Sequence, residues 1–317
     1  MKEDYTYIFL TTIIFSTMEI ALKLVTGSFN PIEVTFIRFF VGGLFLMPFA
    51  LKALIKKNLS IDKEDYIFFA LLGFLGTTIS MGLYQLSVLY TKASVVAVLF
   101  SCNPVFVTIS SYFLLKEAIY TNNIIALILE ILGSVIIINP LSTKLDPLGI
   151  TLTIASTLTF ALYGVCGKKK CAKYGGIVVT CFNFIFGSLE MLMLILLTHI
   201  ESISEFFLNH NLQIFSKIPL SSGFTMSTLP VMIYICIINT GIGYACYFKA
   251  LEKTSATKTS LVFFFKPILA PILALIILKE SLSFNMLIGI LLILCGSMTS
   301  ILPSLKNNKN IKLKKAA

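Results

Sequence analysis

Seven charged side chains stand inside long apolar runs: Glu19, Lys23, Arg38, Glu130, Glu190, Lys249 and Lys266. A strongly penalised charge costs about 2.5–3.5 kcal/mol near a bilayer centre, so each of these needs a partner or water. Glu19 and Lys23 are one helical turn apart with the acid on the N-terminal side, the favourable order for an ion pair. They read either as a structural pair inside a bundle or as a cavity-lining pair whose Glu19 meets an amine or a proton. Arg38 is the lone arginine beside 24 lysines. Its planar fork suits a carboxylate or phosphate, and its distance from Pro31 puts it about 10 Å deep along a helix. Anion binding and an internal ion pair both fit. Lys266 stands directly before Pro267, and a mid-membrane proline frees backbone carbonyls that only protein or a wet cavity can satisfy. A packed kink and a cavity-lining lysine are the two readings there.

Composition decides the medium. Of 317 residues, 57% are hydrophobic and 13% charged, and the mean hydropathy is +0.92, which excludes a soluble globular domain. The formal charge of +10 would suggest a nucleic-acid binder in a soluble chain, but the lysines cluster between apolar runs, where they act as topology signals. No nucleic-acid partner is expected; the partners are the lipid bilayer and a small-molecule substrate, with proton or ion coupling open. The seven cysteines lie almost all in apolar runs and read as packing residues. Both histidines fall between 199 and 228 without spaced partners, so no metal, no cofactor and no enzyme is expected. Nor is there a glycine-rich phosphate loop to support ATP-driven transport. A receptor or assembly factor would need a large soluble surface, which the short connections do not provide.

The elements that must position these charges are spans of about 20 residues. They fall near 6–26, 31–51, 66–90, 93–115, 121–140, 147–167, 176–198, 229–251, 256–278 and 284–303. The fold class is therefore all-α and integral to the membrane, with ten transmembrane helices. Residues 199–228 form the one long connection, and their alternation of Phe with charged residues predicts a short amphipathic interfacial helix. Lysines concentrate on one side if both termini are cytoplasmic, as expected for a multi-pass plasma-membrane protein.

The chain is also written twice. At an offset of 163, Tyr84 meets Tyr247, Asn103-Pro104 meets Lys266-Pro267, Lys116-Glu117 meets Lys279-Glu280, and the match extends over about 60 residues from Thr77/Thr240 to Pro140/Pro303. At an offset of 145, Phe15 meets Phe160, Lys23 meets Lys168 and Gly42 meets Gly187. The 18-residue difference between the offsets equals the insertion after the seventh span, so one duplication of a five-helix unit explains both. Five crossings invert the second copy, giving two inverted five-helix repeats, 1–145 and 146–303, followed by a basic cytoplasmic tail, 304–317. In such plans the substrate sits near the midplane where the copies meet. One chain then holds a complete pathway, and a homodimer is compatible with it. Candidate cavity residues are Glu19, Lys23, Arg38, Tyr84, Asn103, Tyr163, Tyr247 and Lys266, with Pro104 and Pro267 as helix breaks. The Lys-Glu pairs at 116–117 and 279–280 read as topological stops first, with a gate pair as the alternative.

The runs FSTMEIALKLV, FIRFFVGGLFL, YQLSVLYTKASVVAVLFSCNPVF with its LLKE end, and FKALEKTSATKTSLVFFFKPILAPILALIILKESL resemble the EamA branch of the drug/metabolite transporter superfamily. The resemblance implies helices three, four, eight and nine at the centre, one, two, six and seven around the cavity, and five and ten at the periphery. It implies a carrier of small metabolites, often an amino acid exporter; relatives handle nucleotide sugars, sugar phosphates and cations. Departures stand at Phe15 and Ser16, where the family usually has Trp and Gly, and at Glu19. The expectation is a secondary transporter or exporter of small polar metabolites, amino acids or related compounds first, working by alternating access. A multidrug or cation exporter and a sugar-phosphate-type exchanger are the alternatives.

Overall fold

In a bilayer the backbone must satisfy its own polar groups, and a helix does this within one segment. The computed structural model describes residues 2–119, 121–138, 146–263, 266–296 and 298–299. Eight helices are long and apolar enough to cross a membrane: α1 (Thr6–Leu24), α2 (Pro31–Lys56), α3 (Lys63–Tyr90), α4 (Ala93–Leu115), α6 (Pro147–Tyr174), α7 (Gly176–Leu197), α8 (Thr228–Lys253) and α9 (Ala256–Ile277). Two shorter apolar helices complete the numbering, α5 (Thr121–Ile137) and α10 (Phe284–Gly296). The predicted ends at Asn139-Pro140 and Pro303, and the 304–317 tail, lie outside the described residues.

Four of these helices start or break where the sequence supplies a reason. Asn30 caps α2 by accepting from the Ile32 amide, and Glu33 reaches back to the Asn30 amide ahead of Pro31, a capping box with proline in the first turn. α1 is interrupted at Thr17, and the Ile14 carbonyl at the break accepts from Thr17 Oγ1 at 2.7 Å and Asn239 Nδ2 at 3.1 Å. α4 pauses at Ser101 and Cys102 and restarts at Asn103 with Pro104 in its first turn. α9 tightens to a 3-10 turn over Ser260–Phe263 and resumes at Lys266. α3 and α8 each carry a π-helical stretch, Phe74–Ser80 and Tyr234–Ile242. These overlap at the 163 offset, and neither stretch contains a proline.

The two halves of the sequence interleave. α2 packs on α7 and α8, α7 on α2 and α3, α3 and α4 on α6, and α1 on α8 and α9. The largest hydrophobic cluster takes side chains from both halves. α5 meets α10, where a Cβ on Gly133 would lie 2.7 Å from the Gly289 carbonyl oxygen; glycine is required for this approach.

α4 and α9 cross antiparallel, each capping the other. Glu280 accepts from the Ala93 and Ser94 amides at 2.9 and 3.0 Å and from Ser94 Oγ at 2.6 Å. Glu117 accepts from the Ala256 and Thr257 amides at 3.1 and 3.3 Å and from Thr257 Oγ1 at 2.8 Å. A carboxylate on a helix N-terminus satisfies its free amides and its dipole. Lys116 and Lys279, both at φ 55°, turn the chain so that the following Glu can reach across. These pairs are thus caps between the halves rather than topological stops.

The long connection contains the short helix Glu201–Asn209. Its later part is tied to the start of α2, with Asn30 Nδ2 donating to the Ile214 carbonyl at 2.8 Å and Ser222 Oγ to Glu33 at 2.7 Å.

Candidate functional site

The break in α1 sets Glu19 one turn beyond Ser16, facing the restart of α9. There Lys266 Nζ lies 2.5 Å from Glu19 Oε1, and both side chains are shielded from solvent. The partner of Glu19 is therefore Lys266, correcting the expected pair with Lys23. A local ion pair one turn away loses to one across the bundle because Lys23 has a stronger demand on it. Lys23 Nζ donates to the carbonyls of Val88 at 2.7 Å and Thr91 at 2.9 Å, where α3 ends with unpaired acceptors. Lys168, its equivalent, donates to Leu251 and Thr254 at the end of α8.

Aromatic rings enclose the Lys266 ammonium. It lies 4.8 Å from the ring centroid of Phe100 and 5.7 Å from those of Tyr84 and Phe263, within the reach of cation–π attraction. Phe100 and Phe263 are equivalents at the 163 offset and touch each other at 5.6 Å. Phe15 and Phe160 join the same group through Phe263. Tyr84 Oη stands within electrostatic reach of Glu19 and Arg38.

Arg38 comes from α2 and is fully buried. Its Nη1 meets Met18 Sδ at 3.7 Å and its Cζ lies 4.5 Å from the Phe39 centroid. Its electrostatic neighbours include Tyr244, Tyr84, Cys236 and Glu19. Nε and Nη2 have no hydrogen-bond partner among the described residues.

Four of the eight expected residues thus come together: Glu19, Arg38, Tyr84 and Lys266. The other four do not touch this group of charges directly. Lys23 serves the end of α3. Asn103 donates to the Thr157 carbonyl of α6 at 3.1 Å. Tyr163 donates to Asn183 Oδ1 at 2.9 Å. Tyr247 packs against Phe15, Phe160 and Phe263 of the aromatic group, and its hydroxyl fills the space above Gly164, where a Cβ would lie 2.5 Å from that oxygen. Glu130 is buried on α5, and Glu190 is partly buried on α7 beside Thr78. Lys249 pairs with Glu252 at 2.8 Å, and Glu252 caps the Gly176 amide of α7.

Sequence reasoning passed over Tyr244 and Phe100. Tyr244 Oη donates to Met81 Sδ at 2.8 Å, and these two residues are equivalents at the 163 offset. The signal for Phe100 was its aromatic match to Phe263. The buried Glu33 was also passed over, although it lies in the first turn of the 31–51 span.

Comparison with known proteins bears on what such a centre serves. A model of the EamA-like transporter family matches residues 4–139 and 147–302. An uncharacterized transporter of Clostridium kluyveri is 37% identical over 325 residues, covering 100% of this chain and 98% of the relative. The uncharacterized transporter YoaV of Bacillus subtilis is 25% identical, covering 90% of this chain and 92% of its own. A solved crystal structure at 16% identity superimposes with a TM-score of 0.69 over 96% of this chain and 98% of that one, a likeness of fold.

Proposed function

Because the chain belongs to the EamA-like transporter family, we propose that it is a secondary transporter of small polar metabolites, amino acids and related compounds first, working by alternating access. The observation that carries this reading is the buried centre where α1, α2, α3 and α9 bring Glu19, Arg38, Tyr84 and Lys266 together. Intramembrane charges that face one another inside a bundle are functional groups by default, given their insertion cost. A chain that had only to stand in the bilayer would be as stable with apolar residues in place of the pair.

The halves, 1–145 and 146–303, act as inverted five-helix repeats in this reading. The twofold family match, the two sequence offsets and the reciprocal caps of α4 and α9 support that arrangement. Ten crossings follow if α5 and α10 also span. The lysine distribution then puts both termini in the cytoplasm and the protein in the cell membrane. Glu280 and Lys23 close the outer end, Glu117 and Lys168 the inner end, and each set releases in turn as the halves rock about the interrupted helices.

Among the alternatives, a cation or multidrug exporter wants a free membrane carboxylate, and Glu19 is engaged by Lys266. Two buried cations make a sugar-phosphate-type exchanger the better second reading. Counterflow of radiolabelled amino acids into liposomes holding the purified protein tests the proposal. Saturable flux that disappears in Glu19→Gln and Lys266→Ala is expected. Absence of flux for every amino acid, with flux of a sugar phosphate, would replace the first reading by the second.

A further inference from the structure

Among the charges at the helix ends and at the centre, the duplication repeats some and not others. Lys23 and Lys168 match, as do Glu117 and Glu280, and each has the same task in both halves. The central charges have no such counterparts. Glu19 stands where the second half has Gly164, Arg38 where it has Asn183, and Lys266 where the first half has Asn103. Three unrepeated charges thus meet within one buried cluster.

Their sum is not zero. Glu19 is held by Lys266 at 2.5 Å, and it is the carboxylate within electrostatic reach of both cations. Arg38 remains, fully buried, with Nε and Nη2 unpartnered among the described residues and a thioether at 3.7 Å on Nη1. Glu33, five residues back on the same helix, is committed to Asn30 and Ser222. A buried guanidinium without a counter-ion is strongly unfavourable, and what would relieve it is one planar oxyanion that takes two parallel N–H bonds. The surroundings are aromatic: Phe39 beside Arg38, and Phe100, Phe263 and Tyr84 around Lys266.

We infer that this centre binds a monoanionic carboxylate with an apolar body, its carboxylate on the free edge of Arg38 and its body against the aromatic rings. The inference rests on the transporter reading and narrows it, within amino acids and related compounds, to the related compounds ahead of the free amino acids: carboxylic acid anions that lack a free ammonium group, such as acylated or deaminated amino acids. Bound, such a compound brings the centre to neutrality; a zwitterion leaves it at one positive charge and a cation at two. Arg38 is the recognition residue, and its conservative replacement by Lys keeps the charge but removes the fork.

The test uses three compounds of one shape and different charge: N-acetylleucine, leucine and leucinamide. Each is assayed for stabilisation of the purified full-length protein against thermal unfolding and for counterflow in liposomes. N-Acetylleucine is expected to half-saturate at a concentration at least tenfold lower than leucine, with leucinamide inert. Arg38→Lys, checked for monodispersity, is expected to weaken N-acetylleucine at least tenfold. Preference of the wild type for leucine or leucinamide overturns the inference and needs no variant. So does an Arg38→Lys protein with unchanged affinity. Stabilisation by N-acetylleucine without flux upholds the site and sinks the transporter reading; flux of leucine or leucinamide alone does the reverse. Neither stabilisation nor flux with any of the three compounds counts against both.

Discussion

The ends of the molecule and its centre use charge in opposite ways. At the ends, a lysine satisfies the carbonyls where one helix stops and a glutamate satisfies the amides where another starts, and the second half repeats the arrangement residue for residue. At the centre Glu19, Arg38 and Lys266 are unmatched; Glu19 and Lys266 are partnered across the bundle, and Arg38 Nε and Nη2 have no hydrogen-bond partner among the described residues. A helix end has the same orphan groups wherever it occurs, so a duplicated helix end keeps its duplicated cap. A site for an asymmetric solute has no reason to stay symmetric. Repetition of a charge therefore marks a structural role here; an unrepeated charge can also be structural, as the helix caps Glu33 and Glu252 are, and the central three differ from those in meeting inside one buried cluster.

The sharpest way to break this comparison is at Glu19. Glu19→Gln leaves Lys266 buried without its counter-ion, for which a loss of about 3–5 kcal/mol is expected together with loss of flux. Thermal unfolding and counterflow read the two separately. The double replacement Glu19→Gln with Lys266→Met is expected to recover most of the stability and none of the transport. Recovery of both would make the pair structural and erase the distinction.

Next in size is the α5–α10 contact. Gly133→Val sets a branched side chain against the Gly289 carbonyl and Ile293, and overpacking of this kind costs about 1–3 kcal/mol. A lowered unfolding temperature is expected, with the half-saturation constant for transport unchanged.

The caps sharpen the comparison through their equivalence. Glu117→Gln and Glu280→Gln each weaken one charged cap, by about 0.5–2 kcal/mol as for other N-terminal caps. The two are expected to agree closely in unfolding temperature and to differ in the side they open. Cysteines placed beside residue 93 and beside residue 256 would be labelled faster in the variant that loses the adjacent cap. Unequal stability losses of more than about 1 kcal/mol, beyond the usual spread for caps, would deny the structural equivalence. Smallest of all is Lys169→Ala. Lys169 is exposed beside the engaged Lys168 and Lys170, and no measurable change in stability or flux is expected.

Much of the fold was legible because a bilayer restricts the options to long apolar helices, and because a duplication can be read as identities at a fixed offset. The apolar runs, the proline breaks at Pro104 and Pro267, and the burial of Glu19, Arg38 and Lys266 required no coordinates. Less of the site was legible. Lys23 has the right spacing to pair with Glu19, yet the open carbonyls at the end of α3 claim it. The Lys-Glu pairs look ill placed at helix C-termini until the opposite helix brings its amides to them. The π-helical stretches at 74–80 and 234–242 follow no residue-type rule.

The sequence by itself determined the medium, the helices, the repeat and the list of charges that must find partners, since each of these depends on residue type and spacing along one chain. Only the tertiary structure decided who partners whom. Coulombic and hydrogen-bond energies depend on distances between helices, and the interleaving that sets those distances puts Lys266 on Glu19 and leaves the fork of Arg38 open.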